Sequence, residues 1–265
     1  MTGRRGRPVF VYGGNMKLLF SDFDRTLYVD RNITKENLDA VNKWQVEGNL
    51  FIITTGRHKK SIIEQMENFS LKPDYYICNN GAVILDKEKN IIFSKCISNQ
   101  MIEEIIEYIC ENYENSFEII EKERTIKIMN NRGIDNHNPT DIILDRAHIS
   151  SIKDVVQLHK KFDKEERVAE LVIDLNTKFR SSLAAYANVL NVDIVANGMN
   201  KSTGIDFICR EISNVDDILV IGDSYNDIEM VQKYNGFTVE HGNEDIKKIA
   251  REIFFDVASL LKKYS

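Results

Sequence analysis

Short apolar runs alternate with amphipathic segments near both ends of the chain, and this alternation constrains the fold more than any other feature. Leu50–Thr54 and Tyr75–Cys78 are as long as buried strands, and apolar residues between them recur at helical spacing. Strands separated by helices of this length form right-handed β-α-β units in a parallel sheet. The pattern returns from Ser202 onward, with a further buried strand at Ile218–Ile221. The two ends therefore predict an α/β fold with a doubly wound, parallel, Rossmann-like core sheet.

The middle of the chain has another pattern. Val83–Leu85 and Ile91–Phe93 flank a charged turn, as the strands of a hairpin do, and several short strand candidates with a couple of helices follow. Consecutive strands with few helices indicate a separate α+β module. We expect a core formed by residues 16–84 and 194–265, with an inserted α+β cap domain at residues 85–193. Residues 1–15 contain Gly and Arg without an apolar pattern, and we interpret them as a vector-derived tag or a disordered extension.

Composition limits the partners of such a fold. The 265 residues carry a net charge of −6, and the arginines within residues 1–15 make the remainder still more acidic. An acidic body repels nucleic-acid phosphates, so we expect no nucleic-acid partner. No apolar run approaches the roughly 20 residues that cross a bilayer, so we expect no membrane partner. The four cysteines lack metal-ligand spacing, and we expect buried free thiols in a reducing, cytoplasmic compartment.

Acidic, hydroxyl and basic residues follow the strands of the predicted core sheet. The carboxyl ends of parallel strands meet at one edge of a sheet, where ligands bind. We therefore expect these side chains to converge: Asp22, Asp24, Thr55, Lys201, Asp223 and Asp227. Carboxylates at close range raise each other's pKa, and Mg²⁺, which prefers oxygen ligands, relieves that repulsion. With a hydroxyl and an ammonium group to bind phosphoryl oxygens, the arrangement predicts phosphoryl transfer through an aspartyl-phosphate.

Four short motifs stand in a fixed order along the chain: Asp22-Phe23-Asp24-Arg25-Thr26, Thr55-Gly56-Arg57, Lys201 and Gly222-Asp223-Ser224-Tyr225-Asn226-Asp227. They resemble the motifs of the haloacid dehalogenase (HAD) superfamily. An α+β insertion between the second and third motifs is similar to the large C2-type cap of the Cof-type (subfamily IIB) sugar-phosphate phosphatases. The resemblance extends over essentially all of residues 16–265. One departure is Arg25, because glycine is usual at this position.

The resemblance implies a role for each residue of the site. Asp22 is the expected nucleophile, and Asp24 is the expected general acid and base. Mg²⁺ is expected between the Asp22 carboxylate, the Asp24 main-chain carbonyl and Asp223, with Asp227 close by. The residues expected to bind the substrate are Thr55, Gly56, Arg57, Lys201 and Asn226. For Arg57 a structural ion pair is an alternative role.

These roles predict a Mg²⁺-dependent phosphomonoester hydrolase that acts on a small phosphorylated metabolite, such as a sugar phosphate, as a monomer or homodimer. Two alternatives remain open. A phosphomutase shares these motifs but transfers the phosphoryl group to a second hydroxyl of the sugar. A phosphoaspartate receiver module also uses an Asp, a Thr or Ser and a Lys, but it is much shorter and has no cap.

A few other residues have open or no roles. Asn80-Gly81 is either only a tight turn or has a role as a hinge or at the edge of the site. In the cap, Tyr186 and Asn188 are candidates to reach the substrate. His159 lacks the spacing of a metal ligand, and the sequence assigns it no function.

Overall fold

The computed structural model describes residues 16–113, 117–122, 124–128, 142–144 and 152–264, so the proposed tag, residues 1–15, lies outside the described residues. The strands are β1 (Met16–Asp22), β2 (Leu50–Thr54), β3 (Tyr75–Cys78), β4 (Val83–Asp86), β5 (Ile91–Ser94), β6 (Phe117–Glu121), β7 (Thr125–Ile128), β8 (Ile142–Leu144), β9 (Val155–Lys161), β10 (Leu183–Asn188), β11 (Asn191–Ala196), β12 (Val215–Gly222), β13 (Phe237–Val239) and β14 (Ile253–Phe254). The helices are α1 (Lys35–Val46), α2 (Lys59–Phe69), α3 (Asn99–Asn112), α4 (Glu165–Lys178), α5 (Lys201–Glu211), α6 (Ile228–Lys233), α7 (Glu244–Ile249) and α8 (Val257–Tyr264).

Eight strands form the core sheet in the order β14-β13-β12-β1-β2-β3-β4-β5. The strands from β14 to β3 are parallel, and β4 and β5 add an antiparallel hairpin at one edge. The side chains of successive residues of β1 pack into apolar clusters on opposite faces of the sheet, as the pleat of a strand requires. Leu19 packs in the cluster that includes α1, α2 and α8, whereas Leu18 and Phe20 pack with α5, α6 and α7. The predicted doubly wound core sheet is confirmed.

The second sheet has six strands in the order β10-β11-β9-β6-β7-β8. Its neighbouring strands are antiparallel except for β7 and β8, which are parallel. Helices α3 and α4 cover one face with apolar stripes that include Ile105 and Leu171. From the other face, Ile120 and Val156 pack in the same cluster as Val83 of the core, so this face is turned toward the core sheet. The predicted α+β cap is confirmed.

The hairpin that the sequence analysis assigns mainly to the cap extends the core sheet instead. Asn79–Gly81 form a short 3₁₀ turn directly after β3. Cys78 then pairs with Val83, so β4 returns antiparallel beside β3. A turn this short leaves no room for a crossover, and the following strand therefore stays in the same sheet.

The chain also returns from the cap to the core later than at residue 194, where we expect the second core segment to begin. β11 continues to Ala196 and pairs along its length with β10, so Ile194 and Val195 lie in the cap sheet. The two connecting segments lie side by side, since Lys95 Nζ donates to the Asn197 carbonyl at 2.7 Å. We therefore propose that the cap comprises residues 97–197.

The end of the chain contains two elements that the sequence analysis does not anticipate. Helix α7 ends at Ile249, and the chain becomes extended at Ala250. β14 then joins the edge of the core sheet. Asp256 initiates α8, because its carboxylate accepts a hydrogen bond from the main-chain N–H of Ser259 at 2.8 Å. The α8 side chains complete the apolar cluster beside α1.

Two expectations from composition concern the chain as a whole. Among the described residues, no helix combines the length and the apolar character that crossing a membrane requires. All four cysteines are free thiols, but only Cys78 is buried. Cys96, between β5 and α3, and Cys110 and Cys209, in the last turns of α3 and α5, are half-buried.

Candidate active site

Asp22 is the last residue of β1, and its side chain is almost completely buried. Lys201 is the first residue of α5, 179 residues further along the chain, and its Nζ donates to Asp22 Oδ1 at 2.6 Å. The same Nζ donates to Asp227 Oδ1, also at 2.6 Å. Lys201 is 1% exposed and Asp227 is 0% exposed. These three residues, the buried ion triad, join the ends of β1 and β12 to the start of α5.

The loop after β12 brings a third carboxylate, Asp223, to the same place. Asp227 Oδ2 accepts hydrogen bonds from the main-chain N–H groups of Asp223 and Ser224, which closes the loop into a tight turn. Gly222 permits this approach, because a Cβ there would lie 2.4 Å from Asp227 Cγ. Thr26 of the first motif donates to Asp223 Oδ1 at 3.1 Å. The result is a cluster of three carboxylates with one oxygen each within 4.8 Å of the others: Asp22, Asp223 and Asp227.

Burial and mutual repulsion oppose the ionisation of this cluster. Burial raises the pKa of Asp22 well above its usual range, although Lys201 lowers it, and Asp227 and Asp223 raise it further. Burial and the charge of Asp227 raise the pKa of Asp223 to about 6, against the attraction of Arg25 and Lys201. Lys201 and the more exposed Arg25 therefore do not fully compensate three carboxylates, and a further cation would stabilise their charged forms.

The donor atoms of the cluster suit a hard divalent cation. All of them are carboxylate oxygens, and Asp223 Oδ2 is buried without a hydrogen-bond donor. Arg25 Nε lies 3.5 Å from this oxygen, which is an ion-pair distance and too long for a good hydrogen bond. A buried, unsatisfied oxygen beside two further carboxylates fits the ligand preference of Mg²⁺. The main-chain carbonyl of Asp24 as a further ligand stays a prediction.

Asp24 is paired with Arg57 and not with the buried ion triad. Arg57 Nε and Nη2 each donate to one oxygen of Asp24 at 2.7 Å, in a bidentate ion pair. Arg57 Nη1 donates to Ser61 at 3.2 Å, and the guanidinium carbon lies 5.2 Å from the centre of the Phe23 ring. The alternative role for Arg57, an ion pair, is therefore present. Since these contacts use three of the five N–H groups of a guanidinium, two remain for a ligand.

Thr55 and Arg25 complete the core side of the site. Thr55 is 1% exposed, and its hydroxyl accepts a hydrogen bond from the Arg57 main-chain N–H at 3.1 Å, which leaves the hydroxyl proton for a ligand. Arg25 has a φ of 63°, in the left-handed region that favours glycine, and this explains why glycine is usual here. Its side chain is half exposed and close to Asp223.

A cavity of about 480 Å³ lies between these residues and the cap sheet. Lys201 and Asp227 do not line it. The other predicted site residues do line it: Asp22, Asp24, Thr55, Gly56, Arg57, Asp223 and Asn226. Of the two cap candidates, Asn188 also lines the cavity. Tyr186 does not, and its hydroxyl donates to the Met199 carbonyl at 2.9 Å.

Asn80 connects the core site to the cap. Asn226 Nδ2 donates to Asn80 Oδ1 at 3.0 Å, and Asn80 Nδ2 donates to Asp193 Oδ2 at 3.0 Å. Asp193 approaches the second motif so closely that a Cβ at Gly56 would lie 2.7 Å from its Oδ2. Asn79 makes a second connection by donating to Gln157 Oε1 at 2.6 Å. Asn80-Gly81 therefore forms the tight turn after β3, and Asn80 also contacts the edge of the site.

The sequence analysis missed Asp193, His159 and Gln157, which also line the cavity. One available signal is that β9 and β11 carry these polar residues inside otherwise apolar runs, such as the Val–Val–Gln–Leu–His order of β9. On a strand whose neighbours are buried, a polar side chain needs a partner or a ligand.

Comparisons with known proteins agree with the motifs and the cap. The family model described as haloacid dehalogenase-like hydrolase matches residues 19–258. The 5-amino-6-(5-phospho-D-ribitylamino)uracil phosphatase of Bacillus subtilis is 24% identical over 246 residues, which cover 91% of this chain and 90% of that protein. A solved structure from Plasmodium vivax, named as HAD/COF-like hydrolase, has a TM-score of 0.81 and 25% identity, covering 95% of this chain and 96% of that one. A HAD subclass IIB sugar phosphatase has a TM-score of 0.77 at 20% identity, covering 94% and 98%.

These findings exclude the receiver module, since the family match includes the cap and the residues on both sides of it. The family match also spans all four motifs, and the structure brings these motifs to one edge of the core sheet. From its first motif to its last strands, this chain belongs to the haloacid dehalogenase-like hydrolases, and it is of the Cof type.

Proposed function

We propose that this protein is a Mg²⁺-dependent phosphatase that hydrolyses the phosphomonoester of a small sugar or polyol phosphate through an aspartyl-phosphate on Asp22. The observation that carries the proposal is the buried ion triad, in which Lys201 Nζ lies 2.6 Å from both Asp22 and Asp227. The name of the Bacillus subtilis relative supports a phosphorylated polyol chain as the substrate. The size of the cavity, about 480 Å³, is in the range that suits a small metabolite.

In the first step, an oxygen of Asp22 attacks the phosphorus of the substrate. A bond forms between Asp22 and phosphorus, and the bond from phosphorus to the ester oxygen breaks. Asp24 must release its ion pair with Arg57 for this step, and in its protonated form it then donates its proton to the departing alkoxide, which leaves as an alcohol. The two unused N–H groups of Arg57 and the hydroxyl of Thr55 bind phosphoryl oxygens.

In the second step, Asp24 accepts a proton from water, and the resulting hydroxide attacks the phosphorus of the aspartyl-phosphate. The bond between phosphorus and Asp22 breaks, which releases inorganic phosphate and restores the carboxylate. Lys201 stabilises Asp22 as a carboxylate both before attack and on release. Mg²⁺, held by Asp22 and Asp223 with Asp227 nearby, would shield the negative charges of the nucleophile and the phosphoryl group from each other.

The test is the release of inorganic phosphate from a panel of sugar and polyol phosphates with and without Mg²⁺. Asp22→Asn should lower kcat by about 10⁴-fold or more, because an amide oxygen cannot form the intermediate. Asp39→Asn is the matched control, since Asp39 is exposed on α1 and pairs at the surface with Lys35. Asp39→Asn should retain wild-type activity.

The products separate hydrolysis from the phosphomutase alternative. Phosphorus NMR of the wild-type reaction should show inorganic phosphate and no isomeric sugar phosphate. Absence of phosphate release from every member of the panel, or equal activity of Asp22→Asn and wild type, would contradict the proposed function.

A further inference from the structure

A polar row crosses the face of the cap sheet that is turned toward the active site. Glu118 on β6 lies directly opposite His159 on β9, and His159 lies directly opposite Asp193 on β11. Side chains that are directly opposite on neighbouring strands share a face of the sheet and lie within contact distance. All three residues line the cavity above Asp22. The row therefore faces the space that the leaving group of a substrate would occupy.

Asp193 is fully occupied by hydrogen bonds from the protein. Its Oδ2 accepts from Asn80 Nδ2 at 3.0 Å, and its Oδ1 accepts from Gln157 Nε2 at 2.7 Å and from His159 Nδ1 at 2.8 Å. Its side chain is 4% exposed. A buried carboxylate with three donors is satisfied, so Asp193 fixes its neighbours instead of binding a ligand itself.

This contact determines which edge of His159 is left for a ligand. A carboxylate only accepts hydrogen bonds, so Nδ1 of His159 carries a proton and Nε2 is the remaining ring nitrogen. The side chain of His159 is 28% exposed, which leaves part of the ring accessible from the cavity. Asp193 thus orients His159 in the same way that a carboxylate orients a metal-bound or catalytic histidine.

The charges around His159 favour its protonated form. Burial lowers the pKa of His159, but the hydrogen bond and the charge of Asp193 outweigh burial, and Glu118 acts in the same direction, so the pKa is raised overall. Lys161 on the same strand opposes this effect. His58, at the start of α2 in the core, also faces His159. The row therefore places His159 Nε2, which donates a hydrogen bond when the ring is protonated and accepts one when it is neutral, beside the carboxylate of Glu118.

We propose that His159 and Glu118 are specificity-determining residues, which bind hydroxyl groups of the leaving group, and that Asp193 is the residue that positions His159. This assignment rests on the proposed phosphatase function. A donor and an acceptor side by side match the vicinal hydroxyls of a polyol or sugar, each of which can accept one hydrogen bond and donate another. The substrate class is therefore phosphorylated polyols and sugars, in preference to phosphomonoesters without hydroxyl groups.

The test compares two substrates of the full-length protein with Mg²⁺: ribitol 5-phosphate, a linear polyol, and phenyl phosphate, which has no hydroxyls. For His159→Gln, the ratio of kcat/KM for ribitol 5-phosphate to that for phenyl phosphate should fall about tenfold, as expected from the loss of a hydrogen bond to a charged group. Glu118→Gln should lower the same ratio. Lys161→Gln is the matched control on the same strand, and its ratio should equal that of the wild type.

A second measurement tests the positioning role. NMR titration of the His159 ring in Asp193→Asn should give a lower pKa than in the wild type, and the substrate ratio should fall as well. A ratio within twofold of wild type for His159→Gln, or an equal loss with both substrates, would overturn the assignment of His159. An unchanged pKa of His159 in Asp193→Asn would overturn the role of Asp193. If the wild type hydrolyses neither substrate nor any other of the panel, the proposed phosphatase function itself fails.

Discussion

The core and the cap each bury a lysine, and the surroundings of these two lysines differ. In the core, Lys201 lies between Asp22 and Asp227, and their charges raise its pKa despite burial. In the cap, Lys160 on β9 is 0% exposed, and burial lowers its pKa to about 8. Its Nζ lies 5.1 Å from the centre of the Phe162 ring. Two carboxylates thus hold the charge of one buried lysine, whereas burial shifts the pKa of the other towards neutral pH.

The difference shows in which parts of the fold buried charged side chains are stabilised. Charges are kept in the core at the ends of β1 and β12, where main-chain N–H groups and Lys201 stabilise them. The cap places its charged groups on one sheet face toward the cavity, and Lys160 is buried away from that cavity. We therefore expect substitutions of the two lysines by an apolar side chain of similar length to have opposite effects on the free energy of unfolding.

The largest effect is expected for Lys201→Met. Without the ammonium group, three buried carboxylates repel each other, so the free energy of unfolding should fall by about 3–5 kcal/mol, as it does when a buried ion pair loses one partner. We also expect kcat to fall about 10³-fold, because Asp22 loses the charge that keeps it ionised as the nucleophile and as the leaving carboxylate. Denaturant unfolding and a phosphate-release assay measure the two effects.

Lys233→Met is the control for this substitution. Lys233 also pairs with an aspartate, Asp206, but its side chain is 48% exposed, so the expected loss of stability is within about 1 kcal/mol and activity should be unchanged. Mg²⁺ should stabilise Lys201→Met more than it stabilises the control, since the ion reduces the same repulsion. Equal stability of Lys201→Met and Lys233→Met would contradict the view that the buried ion triad is an electrostatic unit.

A smaller effect is expected where the two regions meet, at Asn80. Asn80→Gly removes the side chain that joins Asn226 to Asp193 and keeps a residue that tolerates the φ of 48°. Because two buried polar groups lose a partner, we expect a loss of about 1–3 kcal/mol in stability and a roughly tenfold decrease in kcat/KM. Thermal unfolding and steady-state kinetics are the measurements.

Asn235→Gly is a matched control for Asn80→Gly, since Asn235 has the same φ of 48° but lies exposed between α6 and β13. It reports the effect of glycine on the backbone alone. If both variants lose the same stability and activity, Asn80 has only a conformational role and does not link the cap to the catalytic core.

The sequence predicts the site residues of the core better than those of the cap. Asp22 is the last residue of a strand, and Lys201 is the first residue of a helix that packs on the parallel sheet. The topology of such a sheet alone brings these positions to one edge. Asp193 and His159 line the cavity because the cap sheet is turned toward the core. The two connecting segments determine that orientation, and no local sequence pattern encodes it. For Arg57 the sequence leaves two roles open, a substrate contact and a structural ion pair, because a guanidinium at a strand end can bind either a ligand or a carboxylate.

Elements at the end of the chain were missed for a different reason. β14 has two residues and pairs with a strand of three, so its pattern is too short to separate from a loop. The capping residues Asp256 and Ser259 are a signal for α8 that the sequence analysis did not use. Tertiary packing of Leu260 and Leu261 against α1 stabilises this helix.

The smallest and opposite effect is expected for Lys160→Met. In the wild type, the unfolded chain binds a proton at Lys160 below pH 10.5, whereas the folded cap binds it only below about pH 8. The unfolded state therefore holds more protons between these values, so the contribution of Lys160 to stability rises with pH in this window and is most unfavourable below pH 8. Methionine removes this penalty, and we expect it to stabilise the protein by about 1–3 kcal/mol at pH 7.

The pH dependence distinguishes this explanation from simple repacking. The gain from Lys160→Met should shrink as the pH rises from 8 towards 10.5, because the wild type then loses its own penalty, whereas a gain from better packing would not change with pH. Lys161→Met, at an exposed neighbouring position, should give no gain at either pH. Phosphatase activity should be unaffected, since Lys160 does not line the cavity. A loss of stability at pH 7 would mean that the cap needs the charge of Lys160, and the two buried lysines would then be alike.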